Sequence, residues 1–211
     1  MEQVDTFPHF EEVAPAEASL FLNKIRTAKK SQPQGAAVDV QSLNTYKTHK
    51  MFMTRDGLAG YSVSPSGELT SVFKHKNAPY KDVARHAAEH AVLMAGATHA
   101  SAFDGYLTEA YARGGMKSVA YQPFADEYKP TGWKFETHGR PDVAFVAADR
   151  SVAHAAISAQ QTTQKFYGHH FQGGLRAPTI DDNDLGYQKA KEAGEANTAE
   201  QIPSARRNAS K

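Results

Sequence analysis

Tyr111 lies in the run L-T-E-A-Y-A-R-G-G-M, residues 107 to 116, on a short alanine-bearing segment that two glycines end. A phenol keeps its proton at neutral pH, so beside a cleft it is a ready proton donor. The competing reading is a helix tyrosine with its ring on a sheet and its hydroxyl at the edge. Asp104, in F-D-G-Y, falls just past the carboxyl end of a short strand, where open α/β sheets hold ligands. It leads as proton acceptor, against the alternative of a carboxylate that caps a helix or closes a turn. Glu68, Glu109 and His75 are further candidates on neighbouring elements.

His86-Ala87-Ala88-Glu89-His90 spells H-x-x-E-H, in which histidines four apart share a helix face and can bind zinc. With ten histidines in the chain a chance match is easy, and Ala87, Ala88 and Ala91 claim the buried face. The pattern then turns His86, Glu89 and His90 toward solvent or a groove edge, and no metal is expected. Trp133, with Tyr128 and Phe135, forms either one wall of a substrate groove or a satellite cluster under a long loop. His169-His170, in F-Y-G-H-H-F-Q-G-G, offers aromatic anchors on a glycine-rich backbone, to dock on a partner or fold back on the chain.

These residues need a scaffold, and the chain supplies a readable one. Residues 1 to 14 read as irregular. From Pro15, the spacing of Ala18, Phe21, Leu22, Ile25 and Ala28 predicts an amphipathic helix to about Lys30. The stretch 38 to 50 is mixed. Met51–Thr54 and Leu58–Val63 predict a hairpin through R-D-G, and S-P-S-G leads into a third strand, Leu69–Lys74. A helix follows over Lys81–Ala95, ended by Gly96, then a strand at Ala100–Phe103, a helix at Leu107–Arg113 and a strand at Lys117–Phe124. A turn-rich, aromatic excursion precedes a last strand at Asp142–Ala147. Strands alternating with helices of this length define an α/β layer.

The domain reading is therefore an irregular start to residue 14, an α/β domain over 15–150, a helix-and-docking segment over 151–169 and a flexible polar extension over 170–211. In that extension large apolar residues are too sparse to offset chain entropy. The whole chain has 211 residues, 40% apolar and 22% charged, and a formal net charge of +1. Such a balance supplies no field for nucleic acid or an anionic membrane. Zero cysteines exclude disulfides and thiolate chemistry. The acidic start and the lack of a long apolar run point to a protein of the cytoplasm.

An amphipathic helix, three antiparallel strands, then strand, helix, strand, helix and two closing strands resembles the GNAT superfamily of N-acetyltransferases, an α/β fold on a mixed sheet. The similarity spans about residues 15 to 148, with L-T-E-A-Y-A-R-G-G-M as its most specific piece. Met116 stands where that family usually has phenylalanine. The resemblance implies acetyl transfer from acetyl-CoA to a small-molecule or peptide amine, with Tyr111 protonating the departing thiolate and Asp104 as base. It implies a pantetheine arm aligned by the backbone around Val72, Phe73 and Lys74, with Lys76, Asn77, Tyr80 and Lys81 near the pyrophosphate.

One departure is plain. The family holds the pyrophosphate on a glycine-rich loop, whereas K-H-K-N-A-P-Y-K-D, residues 74 to 82, has no glycine, and Pro79 lacks an N–H. Lys74, Lys76 and Lys81 are the available substitutes. The chain is also similar to GNAT-like proteins of bacteriophage genomes, which implies the alternative of a non-catalytic virion or interaction protein that binds a partner through its C-terminal extension, located in the host cytoplasm or the virion.

Overall fold

The computed structural model describes residues 7–153, 179–180 and 183–199. Seven strands form one mixed sheet: β1 (Phe10–Val13), β2 (Lys50–Thr54), β3 (Ala59–Val63), β4 (Glu68–Lys74), β5 (His99–Phe103), β6 (Met116–Gln122) and β7 (Val143–Ala148). Their order across the sheet is β1-β2-β3-β4-β5-β7-β6. Every neighbouring pair is antiparallel except β4 and β5. This is the mixed α/β arrangement the strand and helix pattern of the sequence predicts, with one more strand at its start.

Two layers of helix sandwich the sheet. On β2, Met51 and Met53 pack against Phe21, Leu22 and Ile25 of helix α1 (Ala18–Lys30), while Phe52 between them enters the opposite core. Alternating strand positions put these groups on opposite faces. The opposite core belongs to α3 (Val83–His90) and α4 (Tyr106–Arg113), which pack on Leu69, Ala100, Ala102, Ala144 and Val146. The α3 backbone continues as a wide π-type turn over Ala91–Ala95 to Gly96 at φ 81°. Val83, Ala84, Ala87, Ala88, Ala91 and Val92 are all buried, as the alanine pattern predicts. Short helices α2 (Leu43–Tyr46) and α5 (Phe135–His138) lie in the connections, α2 capped by the Ser42 hydroxyl on Thr45 N–H.

Three expectations are corrected. First, Phe10–Val13 is a strand on the edge of β2, where the sequence predicts irregular chain. Its pattern, buried at both ends and exposed between, is too short to show period-two alternation. Second, the α3 face expected to meet solvent is covered, by Phe7 and Phe10 over His86 and His90 and by the end of α4 at Gly114 beside Glu89. His86 and Glu89 are each 8% exposed, and the Phe7 ring lies 5.0 Å from that of His86. His90 Nδ1 meets the Tyr61 hydroxyl. Burial, with Arg85 adjacent, pushes the His86 imidazole down to about 4.

Third, part of the expected flexible extension is an ordered helix, α6 (Asn183–Ala199), lying on β5, β6 and β7. Too few large apolar residues mark it because it docks through small ones. Gly186, Ala190 and Gly194 recur every four residues, all buried. A Cβ on Gly186 would fall 2.3 Å from the Phe145 ring, and one on Gly194 1.8 Å from the Thr98 carbonyl oxygen. Backbone-to-backbone approach replaces side-chain interdigitation. The helix expected over Val152–Gln164 and the His169-His170 segment lie, beyond Ala153, outside the described residues.

Replacing Gly194 by leucine should therefore displace α6. Overpacking of this kind costs about 1–3 kcal/mol. Limited proteolysis is expected to cut the variant within 183–199 at once, where the wild type resists; equal protection of both would refute the close contact.

Candidate functional site

The central feature begins with one extra residue in β4. Gly60 pairs with Phe73 and Ser62 with Thr70, so Ser71 and Val72 together oppose Tyr61. Such a bulge bends its strand and re-aims its side chains. Leu69 enters the α3 core, whereas Phe73, four residues on, enters the α1 core, so β4 changes face between them. Ser71 takes a left-handed φ of 56°, and its hydroxyl bonds at 3.0 Å to that of Tyr46, which is fully buried and also accepts from Gln41 N–H.

The bulge has a direct consequence for pairing. β4 and β5 run parallel but pair only at Glu68 with His99 and Leu69 with Ala100. Beyond Ala100 the facing backbone groups of the two strands no longer bond one another, although both strands continue, to Lys74 and Phe103. A wedge thus opens at the centre of the sheet, where the β4–β5 ladder ends.

The predicted residues fall around this wedge unevenly. Tyr111 on α4 is 4% exposed in the α3-side core, and burial raises its phenol above the ordinary range. It is therefore a firmly protonated group. Asp104 lies at the end of β5 but accepts from Gly105 N–H at 3.0 Å and from the Thr108 hydroxyl at 2.9 Å, which is the work of a carboxylate at a helix start. Glu109 is exposed, and His75 accepts from Asn77 N–H.

Of the residues expected near a cofactor, Val72 lines the α3-side core and Phe73 is buried against Phe21. Lys74 donates to the Tyr80 carbonyl at 2.5 Å, and the Tyr80 hydroxyl donates to Asp56 at 2.8 Å. Lys76, Asn77 and Lys81 are exposed. Asp82, at the start of α3, has φ 48° and does not cap the helix; its carboxylate pairs with Arg113 at 3.5 Å. Ser71 and Asp82 are the two non-glycine residues with positive φ among the described residues, and they bracket the stretch in question. Held left-handed backbone of this kind costs about 1–3 kcal/mol per residue and clusters at functional sites.

On the other face of the wedge the structure gathers groups the sequence does not connect. Glu68 and Thr70 of β4 point to the α1 side, opposite Leu69; Ser101 of β5 points the same way, opposite Ala100. Asp39, in the connection between α1 and α2, accepts from the Thr70 hydroxyl at 3.1 Å. The Ser101 hydroxyl meets that of Tyr187 on α6 at 2.8 Å. Burial, with the Asp39 charge nearby, pushes the Glu68 carboxyl up to about 7. Among the described residues its carboxylate has no ion-pair partner. No group of three or more His, Asp or Glu could hold a metal among the described residues, and no described helix is long and apolar enough to cross a membrane.

Together these features make a mixed α/β shell with a parted central strand pair, a buried phenol in the core on one face and a half-buried carboxyl on the other. No protein-family model and no curated protein matches the chain. Among solved structures it is similar to the GCN5-related N-acetyltransferase "Aminotransferase, Class-II" from Rhodopseudomonas palustris, at 10% identity and a TM-score of 0.41, over 69% of this chain and 97% of that one. At that level of fit the likeness adds nothing to what the strand order establishes.

The Glu68 shift has a definite sign. A carboxyl whose folded value lies above its unfolded value destabilises the fold as pH rises, with the penalty appearing between the ordinary value of 4.5 and about 7. Urea unfolding should show Glu68→Gln gaining on the wild type between pH 5 and pH 8. A constant gap across that window would mean that Glu68 titrates normally.

Proposed function

We propose that the protein is an acyl-CoA-dependent N-acyltransferase that moves an acetyl group to an amine. The carrying observation is the parting of β4 from β5 just past Leu69 and Ala100. Freed strand edges supply main-chain bonds for an extended amide-bearing chain such as pantetheine, in the manner of an added strand. The residues present suit that arm. The phosphate end has less: the N–H groups of 83–85 precede the first intrahelical bond, from His86 to Asp82, and Lys74, Lys76 and Lys81 flank them. No glycine lets the backbone wrap a pyrophosphate there.

Acetyl-CoA supplies an acyl thioester, and the chain's own residues move the protons. Glu68, poised near neutrality, takes a proton from the incoming ammonium, directly or through a water, and so frees the nitrogen lone pair. Its environment suits this role better than that of Asp104, whose oxygen is held by two donors. When the new C–N bond has formed and the C–S bond breaks, Tyr111 holds the proton that the thiolate takes. The nitrogen loses a second proton to solvent once the C–N bond has formed, so the sum is ammonium and thioester to amide, thiol and one proton, with Tyr111 reprotonated from solvent.

A second reading, a non-catalytic interaction module in the same shell, is favoured by the glycine-free stretch 74–82. Coenzyme A separates the two. At one hundred times its Kd it should stabilise the fold by roughly 2.7 kcal/mol. A flat thermal melt at millimolar coenzyme A would leave the interaction module standing. If transfer is found, Tyr111→Phe should lower kcat by about 10²–10⁴-fold with cofactor affinity unchanged. Glu68→Gln should abolish the limb of the kcat/KM profile near pH 7; a limb that persists would give the base role to another group.

A further inference from the structure

Resting on the transferase reading, we infer that the acceptor is a small monocationic amine carrying an aromatic ring, bound on the α1 side of the wedge between Glu68 and Trp133. Two carboxylates, Asp39 and Glu68, face this side, and neither has a lysine or arginine partner among the described residues. The Asp39 charge raises the cost of charging Glu68, and a cation beside the pair removes that cost.

The same face of β5 carries an aromatic surface two residues further on. Phe103 follows Ser101 by one full period, and the Trp133 ring meets it tilted by 44°, with centroids 4.5 Å apart. Trp133 also meets Phe124 and the imidazole of His138, and all four rings are half-buried, not enclosed. The loop that bears them crosses to the far wall: His138 Nε2 lies 3.1 Å from the Pro33 carbonyl oxygen. Pro33 begins the connection that carries Asp39 six residues later, so the loop bearing the rings touches the segment that carries one of the two carboxylates.

Distance selects the ligand. Ser101, beside the carboxylates, and Phe103 are separated by roughly 7 Å of strand. That matches an ammonium joined to a ring through two or three carbons. Polyamines would leave the rings bare, and a neutral aromatic would leave the carboxylates unmatched. Lys129 and Arg140 sit over the Phe135 ring, at 5.1 and 4.0 Å, and Arg140 is paired with Asp126, so neither is an ion-pair partner of Glu68 or Asp39.

Trp133 is the sole tryptophan of the chain, so tryptophan emission reports on this groove alone. The full-length protein would be titrated with phenethylamine, hexylamine and phenethyl alcohol. Phenethylamine should change the emission saturably, with each comparison compound at least about tenfold weaker. Glu68→Gln should cost about tenfold in phenethylamine affinity, and Phe103→Leu should erase its advantage over hexylamine, both with unchanged far-ultraviolet circular dichroism. No saturable response, or equal binding of either comparison compound, overturns the assignment. A coenzyme A melt run in parallel keeps the two readings apart. A normal cofactor shift with flat emission removes only the acceptor class, whereas saturable emission with no cofactor shift removes the transferase and with it the acceptor role.

Discussion

The site depends on a single inserted residue in β4. Without the Ser71–Val72 bulge opposite Tyr61, β4 would continue flat beside β5 and their ladder would close the sheet. With it, the ladder stops after two pairs. The cost of the left-handed Ser71 is met locally by the buried hydroxyl pair with Tyr46, which in turn is fixed by Gln41 N–H. Gly60, beside the bulge on β3, permits the same bend from the other strand, since a Cβ there would stand 2.5 Å from the Phe52 carbonyl oxygen. Core packing and site geometry are thus one construction.

The bulge also decides which face each β4 side chain meets. Before the bulge, Glu68 and Thr70 look toward α1; after it, Val72 looks toward α3 and α4. In the transferase reading, Glu68 and Tyr111 would stand as proton acceptor and proton donor on the two sides of the seam. Their environments push both titrations up by the same cause, loss of water, yet to different use: Tyr111 becomes a firmer acid reservoir, while Glu68 becomes able to accept at neutral pH.

Much of this was legible in the residues. The α1 stripe, the R-D-G hairpin, the alanine face of α3 and the positions of β5, α4, β6 and β7 follow from periodicity and turn chemistry, because each is a local signal. What escaped was non-local. Four residues of β1 alternate too briefly to announce a strand, and only with Phe7 and the end of α4 in place do His86 and Glu89 become interior groups. α6 was illegible for the opposite reason, since its contact surface is made of glycine and alanine, which read as polar linker. Asp104 was placed correctly at a strand end but its oxygen is already engaged; Glu68 gains its standing only through Asp39 and burial, which spacing along the chain does not encode.

One contact links the site to a distant tip. Asp56, in the turn between β2 and β3, accepts from Thr54, from Leu58 N–H and from Tyr80, and Tyr80 in turn receives the Lys74 ammonium on its carbonyl. The segment leading into α3 is therefore moored to a hairpin apex outside the wedge. Sequence drift at that apex would be felt as slack in the mooring, so the hairpin is a remote tuning point for how firmly the 74–82 segment is held.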